Sequence, residues 1–175
     1  MFLANGFEEV EALAPLDLLR RAEVEIKTVG IGGKTVVGAH GIPVIADITD
    51  GEFFGDFDMI ILPGGMPGTL NLDGSAAVHS AIKSAVENDK YIAAICAAPM
   101  ILGKLGLLSG KEAICYPGFE KELIGATLSD KTVASDGRII TAKGMGVAVE
   151  FGLLLVGILK GGEVAEKLRK STISE

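Results

Sequence analysis

The sequence predicts an α/β fold in which a doubly wound, mostly parallel sheet carries helices on both of its faces. Short apolar runs with the length of buried strands alternate along the chain with amphipathic segments of helical period. The chain has 175 residues, the size of one ordinary domain, and no long linker or low-complexity segment divides it. We therefore expect a single domain over residues 1–175.

The first half of the chain is divided by turn residues into strands, one helix and an appended antiparallel hairpin. In order, the predicted elements are a strand at 2–4, a turn at Asn5-Gly6, a helix at 8–21, a strand at 24–29, and hairpin strands at 34–38 and 43–47 around a solvated turn at His40-Gly41. The first of these strands is short. Either the natural start lies further upstream, or contacts at the sheet edge compensate.

The second half repeats the alternation of buried strands and helices. Its predicted elements are a strand at 59–62, a helix at 75–87 with His79 on its wet face, strands at 91–95 and 113–116, a hairpin of 133–134 and 138–142 around Asp136-Gly137, and helices at 147–159 and 163–170.

Cys96 stands where a strand meets a helix. The apolar run at 91–95 stops at this cysteine, Ala97 and Ala98 are small, and Pro99 suits a first helical turn because its missing N–H would have no partner. Such a strand-to-helix nucleophile elbow lifts the side chain above the sheet and points backbone N–H groups at it, which favours a thiolate with a lowered pKa. The alternative is a small buried hydrophobic residue.

Glycines follow two other predicted segments. Pro63-Gly64-Gly65 comes directly after the strand at 59–62, and Lys143-Gly144-Met145-Gly146 precedes the helix at 147–159. Glycines at a strand end leave backbone amides unobstructed, as an oxyanion pocket requires, although the same residues also suit a tight turn.

Composition excludes several classes of function. The formal net charge is −7 with scattered basic residues, which argues against nucleic-acid binding, and no apolar stretch approaches the roughly 18 residues of a membrane span.

The two cysteines, Cys96 and Cys115, cannot form a disulfide framework, and Cys115 lies in an apolar run typical of core. Residues 1–3 do not resemble a signal peptide, so we expect a cytoplasmic protein. His40 and His79 lie far apart in sequence, and no metal site is expected.

Four motifs occur in order along the chain: G-x-E-E-x-E at 6–11, the strand into Pro-Gly-Gly at 59–65, A-A-I-C-A-x-P at 93–99 and K-G-x-G at 143–146. With these motifs the chain resembles the ThiJ/PfpI superfamily, and more narrowly the branch of the Parkinson-disease protein DJ, over nearly its full length. The resemblance implies a flavodoxin-like fold, a homodimer and chemistry without a cofactor.

Carried over to this sequence, the resemblance implies that Cys96 is the nucleophile and that Glu11 reaches it from the first turn of the first helix. Backbone amides near Gly65 and Ala97 would form an oxyanion pocket. Gly64, Tyr116 and Gly144 would line the substrate pocket.

Glu11 is expected to be protonated and to donate a hydrogen bond that keeps the sulfur ionised, because burial and like charge raise the pKa of a carboxyl beside a thiolate. Acidic residues in a first helical turn can also simply complement the helix dipole, and Glu8 and Glu9 fit that explanation better than Glu11.

The sequence departs from the family pattern at two positions. Ala97 follows the cysteine where the protease-like branch has a histidine, which makes peptidase activity less favoured. Tyr116 stands where some members of the DJ branch place a histidine near the thiol, and a phenol is a poor general base at neutral pH. Fast hydrolytic turnover is therefore not expected.

Two functions follow from this resemblance. The first is an enzyme of glyoxalase or deglycase type, in which Cys96 attacks reactive 2-oxoaldehydes or their early adducts and Glu11 moves protons. The second is a peroxide-responsive redox sensor or chaperone, in which oxidation of Cys96 is the signal and no substrate is turned over.

Overall fold

The structure is a computed structural model that describes residues 1–173, and its elements follow the predicted alternation. The strands are β1 (Phe2–Leu3), β2 (Val29–Gly30), β3 (Thr35–Val37), β4 (Pro43–Ile45), β5 (Ile48–Thr49), β6 (Met59–Leu62), β7 (Tyr91–Ile95), β8 (Glu112–Ala113), β9 (Thr127–Leu128), β10 (Val133–Asp136) and β11 (Ile139–Ala142). The helices are α1 (Glu9–Arg21), α2 (Gly68–Asp73), α3 (Ala76–Glu87), α4 (Pro99–Lys104), α5 (Ala148–Lys160) and α6 (Gly162–Ser171). Within the described part of the chain, none of these helices has the length and apolarity needed to cross a membrane.

The strands form a mostly parallel sheet, as predicted. In one part β2 pairs with β1 and β5, and in the other β7 pairs with β6 and β11, all in parallel. β1 lies beside β6, where the two parts meet. The antiparallel strand β10 pairs with β11 at the far edge, and β3 and β4 form the predicted separate hairpin.

Two apolar cores cover the two faces of this sheet. Along β7, Ile92 and Ala94 point into the core formed with α3 and α4, while Ala93 and Ile95 point into the core formed with α1, α5 and α6. A strand alternates its side chains between faces, so a strand buried on both faces reads as one continuous apolar run. The doubly wound arrangement with helices on both faces is therefore confirmed.

The site helix α1 begins where its sequence predicts. Glu8 is the N-cap, and its carboxylate accepts a hydrogen bond from the Glu11 amide at 2.7 Å, which satisfies one of the free N–H groups of the first turn. The Glu8 amide in turn donates to the Gly64 carbonyl at 2.9 Å. The first turn of α1 is thus fixed against the loop that follows β6.

Three predictions of local structure are wrong. Residues 24–28 are not strand, because the two-residue β1 pairs only with Val29 and Gly30. The strand predicted at 113–116 ends at Ala113, so Cys115 lies just beyond β8. The helix expected to start at Cys96 starts at Pro99, since residues 96–98 form a turn closed by Ala98 N to Ile95 O at 3.1 Å.

The short helix α2 was not predicted, because Pro67, Gly68 and Gly74 are typical of turns. Its first residue packs against the backbone of the loop after β1, where the Gly68 amide donates to the Gly6 carbonyl at 3.0 Å. This contact is not visible in the local sequence.

Candidate active site

Cys96 occupies the tight turn at the carboxyl end of β7. Its φ of 65° lies in the left-handed region that non-glycine residues seldom adopt, as at a nucleophile elbow. The Cys96 amide donates to Ala142 O at 2.9 Å, and Tyr116 N donates to the Cys96 carbonyl at 2.8 Å. The N–H and the carbonyl of Cys96 are therefore both hydrogen-bonded. The thiol is half-buried at the carboxyl ends of the parallel strands, where open α/β sheets bind ligands.

Glu11 meets the Cys96 thiol from the first turn of α1. Its side chain is 1% exposed, and its Oε2 atom accepts a hydrogen bond from Gly64 N at 3.0 Å. The carboxylate also accepts from the Met145 amide and from the Cys96 thiol. The structure thus brings together the two residues that the resemblance pairs, and it adds Met145, which the sequence did not single out.

Gly64 and Gly65 make room for this pair. A Cβ atom on Gly64 would lie 2.6 Å from both Cys96 Cβ and Glu11 Oε2. Gly65 has a φ of 89°, and a Cβ there would overlap the Glu8 amide nitrogen. Any side chain at these positions would displace Cys96, Glu11 or the start of α1, so the two glycines do more than form a tight turn.

The amides of Gly65 and Ala97 both reach the Cys96 sulfur, where they favour a negative charge. Burial has the larger effect, and together with the charge of Glu11 it raises the pKa of the Cys96 thiol to about 12. The lowered thiol pKa predicted from the helix N-terminus is therefore wrong. α4 starts three residues after Cys96, and the nearest charge is negative.

The pKa of Glu11 is raised, as predicted, to about 7 by burial and by the charge of Glu8. The negative charge of each group disfavours ionisation of the other, so the pair titrates as one unit and does not carry two charges near neutral pH. The direction expected for the pKa of Glu11 is thus confirmed, and the direction expected for the pKa of the Cys96 thiol is not. A buried carboxylate with a pKa near 7 is well suited to accept the thiol proton when the sulfur attacks.

Tyr116 and Gly144 lie beside the pair. A Cβ on Gly144 would lie 3.1 Å from Cδ2 of the Tyr116 ring and 3.8 Å from Glu11 Oε1. The ring therefore stands against the loop that borders the Glu11 carboxylate.

Glu9 and His40 form a contact that the sequence did not predict. The buried Glu9 carboxylate accepts from His40 N at 2.8 Å and lies 2.8 Å from His40 Nδ1. This contact lowers the pKa of Glu9 and raises that of His40. Glu9 therefore anchors the hairpin turn to α1 and does not only complement the helix dipole, while His40 is exposed but not merely solvated. Only the folded position of the hairpin over α1 reveals this pairing.

One group of side chains in residues 1–173 has a spacing that a metal ion could use. Ligand atoms of Glu8, Glu9 and His40 lie within 4.8 Å of one another. Glu9 and His40 already bind each other, and Glu8 accepts the Glu11 amide. The arrangement is accounted for by these hydrogen bonds.

Cys115 is separated from Cys96 by the sheet. Its side chain is buried in the core formed with α3 and α4, as predicted, whereas Cys96 packs against the core of α1 and α5. Both cysteines are free thiols. Burial raises the pKa of Cys115 to about 11.

The chain is similar to known proteins both in sequence and in structure. The sequence model of the DJ-1/PfpI family matches residues 1–157. The dj-1beta protein of Drosophila melanogaster is 35% identical over 177 residues, 99% of this chain and 95% of that protein. Its crystal structure has a TM-score of 0.94 at 34% identity, covering 99% of this chain and 96% of the other.

The names of two further relatives refer to an enzymatic activity and to an oxidized state. A Caenorhabditis elegans protein named glutathione-independent glyoxalase DJR-1.2 is 33% identical over 166 residues, 93% of this chain and 88% of its own length. The structure of oxidized DJ-1 from Toxoplasma gondii has a TM-score of 0.92 at 33% identity and covers 98% of this chain and 95% of the other.

Proposed function

This chain belongs to the DJ-1/PfpI family, and on that premise we propose that it is a cofactor-free, cysteine-dependent enzyme for reactive 2-oxoaldehydes or their early adducts. The observation that carries the proposal is the contact of a half-buried Cys96 thiol with a buried Glu11 carboxylate whose pKa is about 7. The relative from C. elegans named as a glutathione-independent glyoxalase supports this class of substrate.

The proposed reaction converts a 2-oxoaldehyde and water into a 2-hydroxy acid. The Cys96 sulfur adds to the aldehyde carbon while Glu11 takes the thiol proton, and that proton passes to the former aldehyde oxygen to complete a hemithioacetal. Glu11 then removes the hydrogen on that carbon as a proton and returns a proton to the neighbouring carbon, while the hydroxyl proton of the first carbon moves to the oxygen of the second. The first carbon is thereby oxidised and the second reduced. Water hydrolyses the resulting thioester, which releases the acid and restores the thiol.

The amides of Gly65 and Ala97 supply electrostatic stabilisation in this scheme. They already point at the sulfur, so an oxyanion formed on the attacked carbon lies next to fixed N–H donors. Removal of one such donor typically costs about 10²- to 10³-fold in kcat. Glu11 needs no partner histidine, which makes Ala97 and Tyr116 compatible with proton transfer at the pair.

A turnover assay with methylglyoxal and no glutathione tests the proposal. We expect hydroxy acid to form with the wild type and not with Cys96→Ala, while Cys115→Ala serves as the matched control and retains turnover, because Cys115 lies on the other face of the sheet. Equal rates for the wild type and Cys96→Ala would refute it.

The alternative function is a peroxide-responsive sensor or chaperone that works through oxidation of Cys96. It is supported by the half-buried thiol beside Glu11, with no second thiol on its side of the sheet. The Toxoplasma relative was solved in an oxidized form. Turnover of methylglyoxal that depends on Cys96 would argue against a sensor that acts without substrate.

Peroxide is expected to oxidise Cys96, because the Glu11 carboxylate beside it can take the thiol proton as the sulfur attacks. The product should be a sulfinic acid, since Cys115 is buried behind the sheet and cannot form a resolving disulfide. Peptide mass analysis after mild peroxide should show a gain of about 32 Da at Cys96 and an unmodified Cys115. A Cys96–Cys115 disulfide, or modification of Cys115 first, would contradict the placement of the two thiols.

We further propose a homodimer, as the family resemblance implies. The apolar character of the sequence around Phe7 and α1 is compatible with an isologous contact, but Phe7 is fully buried in the core and cannot contribute. Val10 on α1 is an exposed apolar residue of this region. Sedimentation that shows only monomer at micromolar concentration would count against the dimer.

A further inference from the structure

Three large apolar side chains remain substantially exposed on the residues that surround the Cys96–Glu11 pair. Met66, Tyr116 and Met145 are 43%, 50% and 52% exposed. Met66 follows Gly65, whose amide reaches the sulfur, and Met145 donates its own amide to Glu11. Isolated exposed apolar residues need no explanation, but these three lie on the segments that surround one reactive thiol, and we call them the mouth of the site.

The Tyr116 ring belongs to this mouth. The Tyr116 amide donates to the carbonyl of Cys96 itself at 2.8 Å, which ties the Tyr116 backbone to the residue that carries the thiol. Gly144 leaves space for the ring, since even a Cβ at this position would approach it to 3.1 Å. One aromatic surface thereby lies against the loop that borders the Glu11 carboxylate.

Two negative charges act on the pair. Glu8 raises the pKa of Glu11, and Glu11 raises the pKa of Cys96. A substrate with a carboxylate or phosphate would be repelled by these two charges. An uncharged apolar substituent meets no such cost.

We propose that the mouth formed by Met66, Tyr116 and Met145 selects 2-oxoaldehydes that carry an uncharged apolar substituent, with an aromatic one preferred. The substituent would pack on the Tyr116 ring, with the methionine thioethers at its edges, while the aldehyde carbon faces the sulfur. The ring of Tyr116 is the determinant, and its hydroxyl is dispensable. For turnover, this inference rests on the function proposed above.

The test compares kcat/KM for phenylglyoxal and methylglyoxal. We expect the wild type to prefer phenylglyoxal roughly tenfold, the scale of one aromatic contact. Tyr116→Ala should lower this ratio to about one, whereas Tyr116→Phe should keep it. Tyr91→Ala is the matched control, because Tyr91 lies at the opposite end of β7 beneath Arg138, and it should keep the ratio.

A second measurement needs no turnover. The rates at which 2-bromoacetophenone and bromoacetone alkylate Cys96, each divided by its rate with free cysteine, should show the same aromatic preference and the same dependence on Tyr116. If neither aldehyde is turned over, the proposed function fails, and this alkylation ratio alone decides the selectivity. The inference is overturned by a wild-type ratio near one, by a ratio that survives in Tyr116→Ala, or by loss of the ratio in Tyr116→Phe.

Discussion

Replacing Glu11 by glutamine is expected to abolish turnover of 2-oxoaldehydes, lowering kcat by about 10²- to 10⁴-fold, the usual contribution of a positioned general acid–base. Glutamine keeps the size of the side chain and one acceptor oxygen for the amides of Gly64 and Met145. It can neither take the thiol proton nor return one to the substrate. The measurement is the steady-state rate of hydroxy-acid formation from methylglyoxal between pH 5 and 9.

The matched control is Glu8→Gln in the same helical turn. Its side-chain oxygen still accepts the Glu11 amide, but the negative charge that raises the pKa of Glu11 is gone. Turnover should persist, and the fall in rate on the acidic side of the pH profile should move to lower pH. Retained turnover in Glu11→Gln would mean that another group, such as Tyr116, moves the protons.

The Glu11→Gln substitution is also expected to change the stability of the fold in a pH-dependent way. The pKa of Glu11 is about 7 in the folded chain against 4.5 for an ordinary glutamate, so between these values the native state holds a proton that the unfolded state has lost. Folding is therefore disfavoured progressively as pH rises through this window, by on the order of 3 kcal/mol in total. The measurement is the free energy of unfolding of the wild type and of Glu11→Gln at pH 4 and at pH 8. From pH 4 to pH 8, the variant should become more stable relative to the wild type by on the order of 3 kcal/mol.

Gly64→Ala is expected to damage both the fold and the site. The new methyl group would lie 2.6 Å from Cys96 Cβ and Glu11 Oε2 and 2.9 Å from the Ile95 carbonyl oxygen, so the pair must separate or the backbone must shift. Overpacking of this kind costs about 1–3 kcal/mol of stability. Displacing reacting groups by about 1 Å can lower kcat by roughly 10²-fold. Thermal unfolding and the methylglyoxal assay measure the two effects.

Gly162→Ala provides the comparison for this loss. Gly162 opens α6 with a backbone conformation that alanine adopts, and a Cβ there would meet no other atom within 4 Å. It should keep wild-type stability and turnover. Wild-type turnover in Gly64→Ala would show that the spacing of Cys96 and Glu11 is not what the reaction depends on.

The sequence was most informative where the signal is local. β6 and β7 lie where the apolar runs place them, because a strand buried on both faces is a continuous apolar segment ended by glycine or by the elbow. The N-cap of α1 is equally local. By contrast, the strand expected at 24–29 shrank to a pair of residues, since its extent depends on the length of its partner β1.

The sequence predicted which residues form the candidate site, but it did not predict the direction in which the pKa of the thiol shifts. The motifs brought Glu11 and Cys96 together through family resemblance, and the structure places them in contact. Whether the thiol or the carboxyl loses its proton first depends on burial and on nearby charges, which no motif encodes. The contact of Glu9 with His40 needed the position of the hairpin over α1, which lies 31 residues away in sequence.

The central claim is that Cys96 and Glu11 form one acid–base pair in which the carboxylate is the base. The carbon-13 chemical shift of the Glu11 carboxyl, assigned by its absence in Glu11→Gln and followed from pH 4 to 10 together with thiolate absorbance, tests it most directly. We expect a carboxyl midpoint near 7 and no thiolate at that pH, with a higher carboxyl midpoint in Cys96→Ala, because the thiol hydrogen bond that lowers the pKa of Glu11 is lost there. A carboxyl midpoint near 4.5, or a carboxyl that stays protonated while the Cys96 thiol ionises below pH 7, would contradict it.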